Sequence, residues 1–159
     1  MAKQRPEFKP PEKISGTAPK TLQEAARLLG LKRIPRSDLE LADVALKGLP
    51  GSALTSLAES LDVPTATVVA QLDIPPRTAA RRLKPRATLT TAESERALRL
   101  ARVLARATEI FEGRAPARLW LEAASIPLGG RRPLDLLATD VGAELVLSEL
   151  GKIDSGFFA

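Results

Sequence analysis

The sequence contains no cysteine and no histidine among its 159 residues. Without cysteine it can form neither a disulfide nor a thiolate metal site, and without histidine it lacks the commonest metal ligand and the commonest general base. No glycine-rich phosphate loop follows a strand pattern, and the neighbouring carboxylates Asp135 and Asp140 are typical of helix ends. The sequence therefore predicts no metal, no cofactor and no enzyme.

Long apolar runs are also missing. No run approaches the roughly 20 residues that a membrane-spanning helix needs. The charged, proline-rich N-terminus lacks the apolar segment of a secretory signal. From these absences we expect a cytoplasmic protein with no membrane partner.

Aromatic residues are few, with four Phe, one Trp and no Tyr. No segment alternates between polar and apolar residues for long enough to form a strand. The core must therefore be built from Ala, Leu and Val, and Ala- and Leu-rich segments favour helices. We predict an all-α fold.

Charge is distributed unevenly, although the net charge is only +5. Residues 1–86 contain fifteen Lys and Arg against nine Asp and Glu, whereas residues 120–159 contain three against six. Ordinary surface charge could produce this asymmetry. Alternatively, the first part of the chain has an anionic partner that the second part does not share.

Residues 1–20 contain four Pro and five basic residues without periodicity, and we predict a disordered basic tail there. Three later segments have the spacing of a capping box, in which a Ser or Thr side chain and a Glu three residues later bind each other's backbone N–H groups. They begin at Thr21, Ser37 and Thr90. The third opens the longest predicted helix, about 91–112.

Two further helices are predicted near the C-terminus. One covers about 116–124 and buries Leu119, Trp120 and Ala123. The other begins at Thr139 or Asp140, ends at Gly151 and buries a stripe of four residues: Ala143, Val146, Leu147 and Leu150. Gly142 lies inside this helix at a cost of about 1 kcal/mol relative to Ala, so we infer that another helix approaches closely there.

An internal repeat of eleven residues predicts a helix–turn–helix unit. Residues 61–72 align with residues 72–83, and each copy contains an Asp-Val-Pro or Asp-Ile-Pro turn followed by a short helix. Two overlapping registers fit the pattern. The first is locked by Ala58, Leu61, Val63, Val68 and Leu72, and the second by Val69, Leu72, Ile74, Ala79 and Leu83.

Basic residues favour the second register, whose recognition helix would cover residues 76–84. No acidic residue occurs from Ile74 to Ala92. The predicted DNA-binding residues are Arg77, Thr78, Arg81, Arg82, Lys84 and Arg86. Arg81 and Arg82 are candidates for guanine contacts, Arg77, Lys84 and Arg86 for phosphate contacts, and Thr78 for either a phosphate or a base edge. The alternative is a basic surface helix that touches no partner.

The motifs from Gly48 to Ala159 resemble the antitoxins of the Xre/MbcA/ParS family. The most specific motif is Leu-Gly-Gly (128–130), then Pro-Leu-Asp-Leu-Leu (133–137) and Thr-Asp-x-Gly-Ala (139–143). Leu-Pro-x-x-Ala-Leu (49–54), the segment 89–105, Trp120-Leu121 and the segment 150–156 add to the match. The chain departs from many relatives at Ala124-Ser125-Ile126, where they have Thr-Pro-Asn, and at Phe157-Phe158, where they have Val-Tyr or Val-Pro.

The resemblance implies two domains and two partners. Residues 21–86 would form a helix–turn–helix DNA-binding domain and residues 87–159 a small helical domain for toxin binding and dimerisation. The expected partners are operator DNA, a second copy of the chain and a toxin with a RES domain that consumes NAD. The predicted toxin-binding residues are Gly129, Gly130, Arg131 and Arg132 in a turn, and Lys152, Ile153, Asp154, Ser155, Gly156, Phe157, Phe158 and Ala159 in a segment that would cover the toxin's active site. The alternative is a plain helix–turn–helix regulator whose C-terminal helices only dimerise or bind an effector.

Overall fold

The structure, a computed structural model, describes residues 18–156. The first seventeen residues of the predicted disordered tail and the last three residues of the chain lie outside this range. The nine α-helices of the described part are α1 (Lys20–Leu28), α2 (Asp38–Lys47), α3 (Ser52–Leu61), α4 (Thr65–Gln71), α5 (Pro76–Arg82), α6 (Thr91–Ile110), α7 (Arg114–Glu122), α8 (Pro133–Leu136) and α9 (Asp140–Asp154). A 3-10 turn covers Ile126–Leu128. The predicted all-α fold is confirmed, since residues 18–156 contain isolated β-bridges but no strand.

Helix α6 is the central element. It contacts α1, α2, α3, α7 and α9, and Leu100 and Leu104 on it are almost fully buried. Buried apolar residues from Ala25 to Leu150 form one cluster. This cluster includes residues on both sides of the predicted domain boundary at residue 86. Both predicted domains therefore pack on a shared helix. No helix within the described range is long and apolar enough to cross a membrane.

Two of the three predicted capping boxes place a cap where expected. Thr90 accepts a hydrogen bond from the Glu93 N–H, and the Glu93 carboxylate accepts one from the Thr90 N–H. The Ser37 hydroxyl accepts a hydrogen bond from the Glu40 N–H at 3.2 Å. The capping box predicted at Thr21 is wrong, because α1 already begins at Lys20 and its N-cap is Pro19. Thr21 thus lies within the first turn, and its hydroxyl donates to Glu109 at 3.1 Å.

The eleven-residue repeat is confirmed as a repeated turn. Asp62 and Asp73 both adopt left-handed backbone conformations, with φ of 54° and 51°. The residue after each Asp closes the preceding helix with the same hydrogen bond, to a carbonyl five residues earlier. The Val63 N–H donates to the Ala58 carbonyl at 3.0 Å, and the Ile74 N–H donates to the Val69 carbonyl at 3.0 Å. Asp tolerates this conformation better than most residues. The chain therefore turns twice in the same way to produce α3, α4 and α5.

Two details near the C-terminus differ from the prediction. In α7 the buried residues are Ala117 and Leu121, whereas Leu119 is 61% exposed and Ala123 lies beyond the helix in extended backbone. The side of α7 that faces the core is therefore the one with Ala117 and Leu121, four residues apart. Trp120 packs against Phe111, with ring centroids 5.7 Å apart. Helix α9 also continues past Gly151 to Asp154.

Gly142 is confirmed as a point of close approach. A Cβ atom added to Gly142 would clash with the backbone carbonyl oxygen of Leu136 at the end of α8. The predicted stripe of α9 is buried at Ala143, Val146 and Leu150, but Leu147 is 38% exposed. Helices α8 and α9 are therefore packed with backbone in contact, and Leu147 faces outward.

Candidate functional site

The solvent side of α5 and the turn that follows it carry a basic surface, which we define as Arg77, Arg81, Lys84 and Arg86. All four residues are exposed. Within the described part of the chain, none of them forms a salt bridge. Thr78 lies beside them and is half-buried. Cations that lie on one side of a protein and pair with none of the described carboxylates can contact several phosphates at once.

Arg82 differs from the other basic residues of α5. Its Nε donates to the Glu93 carboxylate at 2.8 Å, and its Nη2 donates to the second oxygen of the same carboxylate at 3.4 Å. The Arg82 side chain is 23% exposed and the Glu93 side chain is 9% exposed. The structure therefore places Arg82 against the start of α6, apart from the basic surface.

Glu93 is held in its charged form by this arrangement. Burial by itself would raise the pKa of Glu93, but hydrogen bonds from the Arg82 guanidinium and the Thr90 backbone outweigh that effect and lower the pKa. A carboxylate that accepts a hydrogen bond from a nearby cation keeps its negative charge. The Arg82–Glu93 pair is thus a charged link between α5 and α6.

Both helix–turn–helix registers are present in the structure as consecutive helix pairs. Four of the five residues predicted to lock the second register are buried: Val69, Leu72, Ile74 and Ala79. Leu83 is not, since it follows the end of α5 and is 43% exposed. Helix α4, the second helix of the first register, has no basic residue. The positive charge therefore belongs to α5 and the turn after it, and not to α4.

The predicted toxin-binding turn projects from the C-terminal part of the fold. Gly129 and Gly130 have φ of 69° and 74°, values that favour glycine. The turn is closed by the Ser125 N–H, which donates to the Arg131 carbonyl at 3.0 Å, and by the Gly130 N–H, which donates to the Ser125 carbonyl at 2.9 Å. Both glycines are exposed, and nothing lies within 4 Å of a Cβ built on either one. The turn is thus accessible from solvent.

The two arginines of this turn have different surroundings. Arg131 is exposed. Arg132 donates to the Asp135 carboxylate at 2.8 Å and 2.7 Å. This pairing lowers the pKa of Asp135. Because Arg132 is already paired, Arg131 is the cation of the turn that a partner can reach most directly.

Exposed apolar residues next to the turn were not predicted from the sequence. Ile126, at the start of the 3-10 turn, is 90% exposed, and Val141 and Leu145 on α9 are 68% and 52% exposed. The 3-10 turn that begins with Ile126 packs against α9, the helix that carries Val141 and Leu145. The available signal was the spacing of Val141 and Leu145, four residues apart and off the buried stripe of α9. Large exposed apolar residues in a cluster mark interaction sites.

The described part of the C-terminal segment continues α9. The Lys152 ammonium lies 3.3 Å from the Glu149 carboxylate, and the Asp154 carboxylate lies 2.6 Å from an Arg106 nitrogen. Ile153 is partly buried, while Ser155 and Gly156 are exposed. Phe157, Phe158 and Ala159 lie outside the described residues. Since Arg99 also pairs with Asp140, ion pairs to α6 hold α9 at both ends.

A groove of about 540 Å³ lies between α2, α6 and α9. Apolar lining comes from Leu46, Leu98 and Leu147, and charge of both signs comes from Glu95, Arg102 and Glu144. Leu46 is 66% exposed, and Leu39, which lies about two helical turns earlier on the same side of α2, is 73% exposed. Helix α2 therefore presents one apolar side to the core and a second one to solvent.

Comparison with known proteins divides the chain into two matched segments. Residues 40–102 match the model of the antitoxin Xre-like helix-turn-helix domain. Residues 106–156 match the model of the antitoxin Xre/MbcA/ParS C-terminal toxin-binding domain. The first segment contains the basic surface, and the second contains the exposed turn and all of α9.

Individual relatives agree with these models. The chain is 31% identical over 129 residues to "Antitoxin Xre" of Yersinia enterocolitica, an alignment that covers 70% of this chain and 87% of the relative. It is 32% identical over 134 residues to "Antitoxin Xre" of Pseudomonas putida, with 83% of each protein covered. It is 30% identical over 132 residues to the "Prs ADP-ribosylating antitoxin" of a Sphingobium species, with 77% of this chain and 83% of the relative covered.

Proposed function

Because the chain belongs to the Xre/MbcA/ParS family of antitoxins, we propose that it neutralises a RES-domain toxin and represses its own operon. The C-terminal segment 152–159 covers the active site of the toxin. The basic surface of α5 binds operator DNA. Both activities take place in the cytoplasm.

The exposed apolar region around the Gly129–Arg132 turn is the observation that best supports toxin binding. Interfaces are centred on buried apolar anchors, and Ile126, Val141 and Leu145 offer such anchors beside the cation Arg131. The segment 152–159 begins in the last turn of α9, the helix that carries two of these three residues. A toxin that contacts the apolar region therefore lies within reach of the C-terminal segment.

The chemistry of the toxin follows from the family and from one relative. The Sphingobium relative is named an ADP-ribosylating antitoxin, and ADP-ribosylation consumes NAD. This name supports a partner that binds NAD. A toxin active site that holds an anionic dinucleotide is expected to be basic, which suits the acidic C-terminal part of this chain.

Removal of residues 152–159 tests the toxin-binding proposal. We expect the truncated chain to lose protection of cells that express the toxin and to keep its affinity for operator DNA, since α5 and its supports are intact. A milder variant, Phe157→Ala with Phe158→Ala, leaves every described residue unchanged and should weaken protection in the same direction. Full protection by the truncated chain would contradict the role of the C-terminal segment. Absence of protection by the wild-type chain would instead favour a plain helix–turn–helix regulator.

We propose further that the chain forms a homodimer through the groove between α2, α6 and α9. A two-fold interface must be self-complementary. This face combines protruding apolar residues on α2, a groove that can receive them, and charges of both signs.

A further inference from the structure

Helix α5 has little apolar contact with the rest of the protein. Ala79 is its buried residue, and Leu83 just beyond its end is 43% exposed. A seven-residue helix with one buried alanine gains little from hydrophobic packing. Its direction must therefore depend on other contacts at its C-terminal end.

One such contact is made by the backbone. A Cβ atom at Gly51 would clash with the carbonyl oxygen of Arg82, so the end of α5 lies directly on the start of α3. The chain after α5 then returns to the same place, where the Gly51 N–H donates to the Ala87 carbonyl at 2.9 Å and the Leu89 N–H donates to the Leu49 carbonyl at 2.8 Å. These contacts set the position of the end of α5.

The second contact is the Arg82 side chain. Its guanidinium reaches a carboxylate that is already part of the capping box of α6, since Glu93 also accepts from the Thr90 N–H at 2.8 Å. One carboxylate thus binds the end of α5 and the start of the central helix together. The Arg82 side chain points to this carboxylate, whereas Arg77 and Arg81 are exposed on the solvent side.

We propose that Arg82 and Glu93 are positioning residues, which fix the direction of α5 so that the basic surface meets DNA, and that Arg82 does not contact DNA. This inference rests on the proposed DNA binding and replaces the expectation that Arg82 contacts a guanine. Glu93 is thereby required for binding a polyanion even though it is itself an anion.

The sign of the effect of Glu93→Gln is the sharpest test. If Glu93 only competed with DNA for Arg82, removal of its negative charge would tighten DNA binding. A positioning role predicts the opposite, a loss of about tenfold, because the charged hydrogen bonds that hold α5 are weakened. Glutamine also serves in a capping box, so the start of α6 is preserved in this variant.

Arg82→Gln should weaken binding by a similar factor. For Arg82→Gln, the slope of log affinity against log salt concentration should equal that of the wild type. Arg81→Gln should instead reduce the magnitude of this slope by about 0.9, for one lost phosphate contact. The double variant Arg82→Gln with Glu93→Gln should be no weaker than either single variant, because both remove the same link. Binding is measured by fluorescence anisotropy with a labelled duplex from the region upstream of the gene.

Arg106→Gln provides a matched control. Arg106 lies near the other end of α6 from Glu93 and pairs with Asp154 of α9. This variant should therefore lower the unfolding temperature and leave DNA affinity within about twofold. Thermal unfolding of every variant shows whether it is folded at the assay temperature.

Tighter or unchanged DNA binding by Glu93→Gln would overturn the inference, as would a slope reduced by about 0.9 for Arg82→Gln. A loss of preference at one base pair in Arg82→Gln would also overturn it, since that result marks a direct base contact. A wild-type chain that binds no duplex would overturn the proposed DNA binding and this inference with it. A third outcome would overturn the inference and leave the proposed DNA binding intact. In that outcome the wild type binds the duplex, Arg81→Gln binds it less tightly, and Glu93→Gln binds it more tightly.

Discussion

At the scale of single residues, two glycines of α9 have opposite surroundings. A Cβ at Gly142 would meet the Leu136 carbonyl oxygen, whereas a Cβ at Gly151 would meet nothing within 4 Å. Both lie inside the helix, where alanine is intrinsically more favourable by about 1 kcal/mol. The same substitution should therefore have opposite effects at the two positions.

We predict that Gly142→Ala destabilises the protein by about 1–3 kcal/mol, because the overlap with a backbone atom exceeds the gain in helix propensity. Gly151→Ala should stabilise it by about 0.5–1 kcal/mol. Urea unfolding followed by circular dichroism measures both values. A stabilising Gly142→Ala would show that α8 and α9 do not pack as closely as described.

At the scale of elements, α5 is a short helix that exposes two cations, Arg77 and Arg81, and buries only Ala79. If Arg77 and Arg81 each contact a phosphate, Arg77→Gln with Arg81→Gln should reduce the salt slope of DNA binding by about 1.8. Neither residue forms an ion pair within residues 18–156, so the unfolding temperature should stay within about 1 °C of the wild type. A slope that stays unchanged in the double variant would place the DNA on another face of the molecule.

The elements also show which features a sequence can predict. Local signals such as the Thr90–Glu93 capping box and the repeated Asp turns appear where expected, because they depend on residues only a few positions apart. The N-cap of α1 lies two residues before the predicted one, since it is Pro19 and not Thr21. The position of Arg82 could not be predicted, because an arginine in a basic run does not show which of its neighbours in space will be a buried carboxylate.

The C-terminal part shows the same limit. The close approach at Gly142 was predictable from the cost of glycine within a helix. The exposure of Ile126, Val141 and Leu145 was not, because it depends on how α7, α8 and the 3-10 turn arrange themselves around α9. Residues 1–17 and 157–159, including Phe157 and Phe158, lie outside the described structure, so the predictions for them remain predictions.

At the scale of the whole molecule, the proposed function uses three separate surfaces for three partners. In this proposal the basic surface binds DNA, the region around Ile126 and α9 binds the toxin, and the groove beside α2 binds a second copy of the chain. All three adjoin the central helix α6, but through different residues, Glu93, Arg106 and Leu98 respectively. Because no residue is shared, a substitution on one surface should leave the other two active.

Leu46→Glu tests this separation at the groove. Leu46 is 66% exposed, so the charge should leave the fold intact and convert a dimer to a monomer in light scattering coupled to gel filtration. Val141→Glu, on a residue that is 68% exposed at the toxin surface, is the matched control and should remain dimeric while it binds the toxin less tightly. A wild-type monomer, or a dimer that only Val141→Glu disrupts, would contradict the assignment.

The central claim is that the C-terminal segment occupies the toxin's active site. It is tested most directly by the NAD consumption of the toxin, measured with increasing antitoxin at several NAD concentrations. Occlusion of the site predicts inhibition that is competitive with NAD, and loss of that inhibition when residues 152–159 are removed. Inhibition that is independent of NAD concentration, or that the truncated chain retains, would contradict the account.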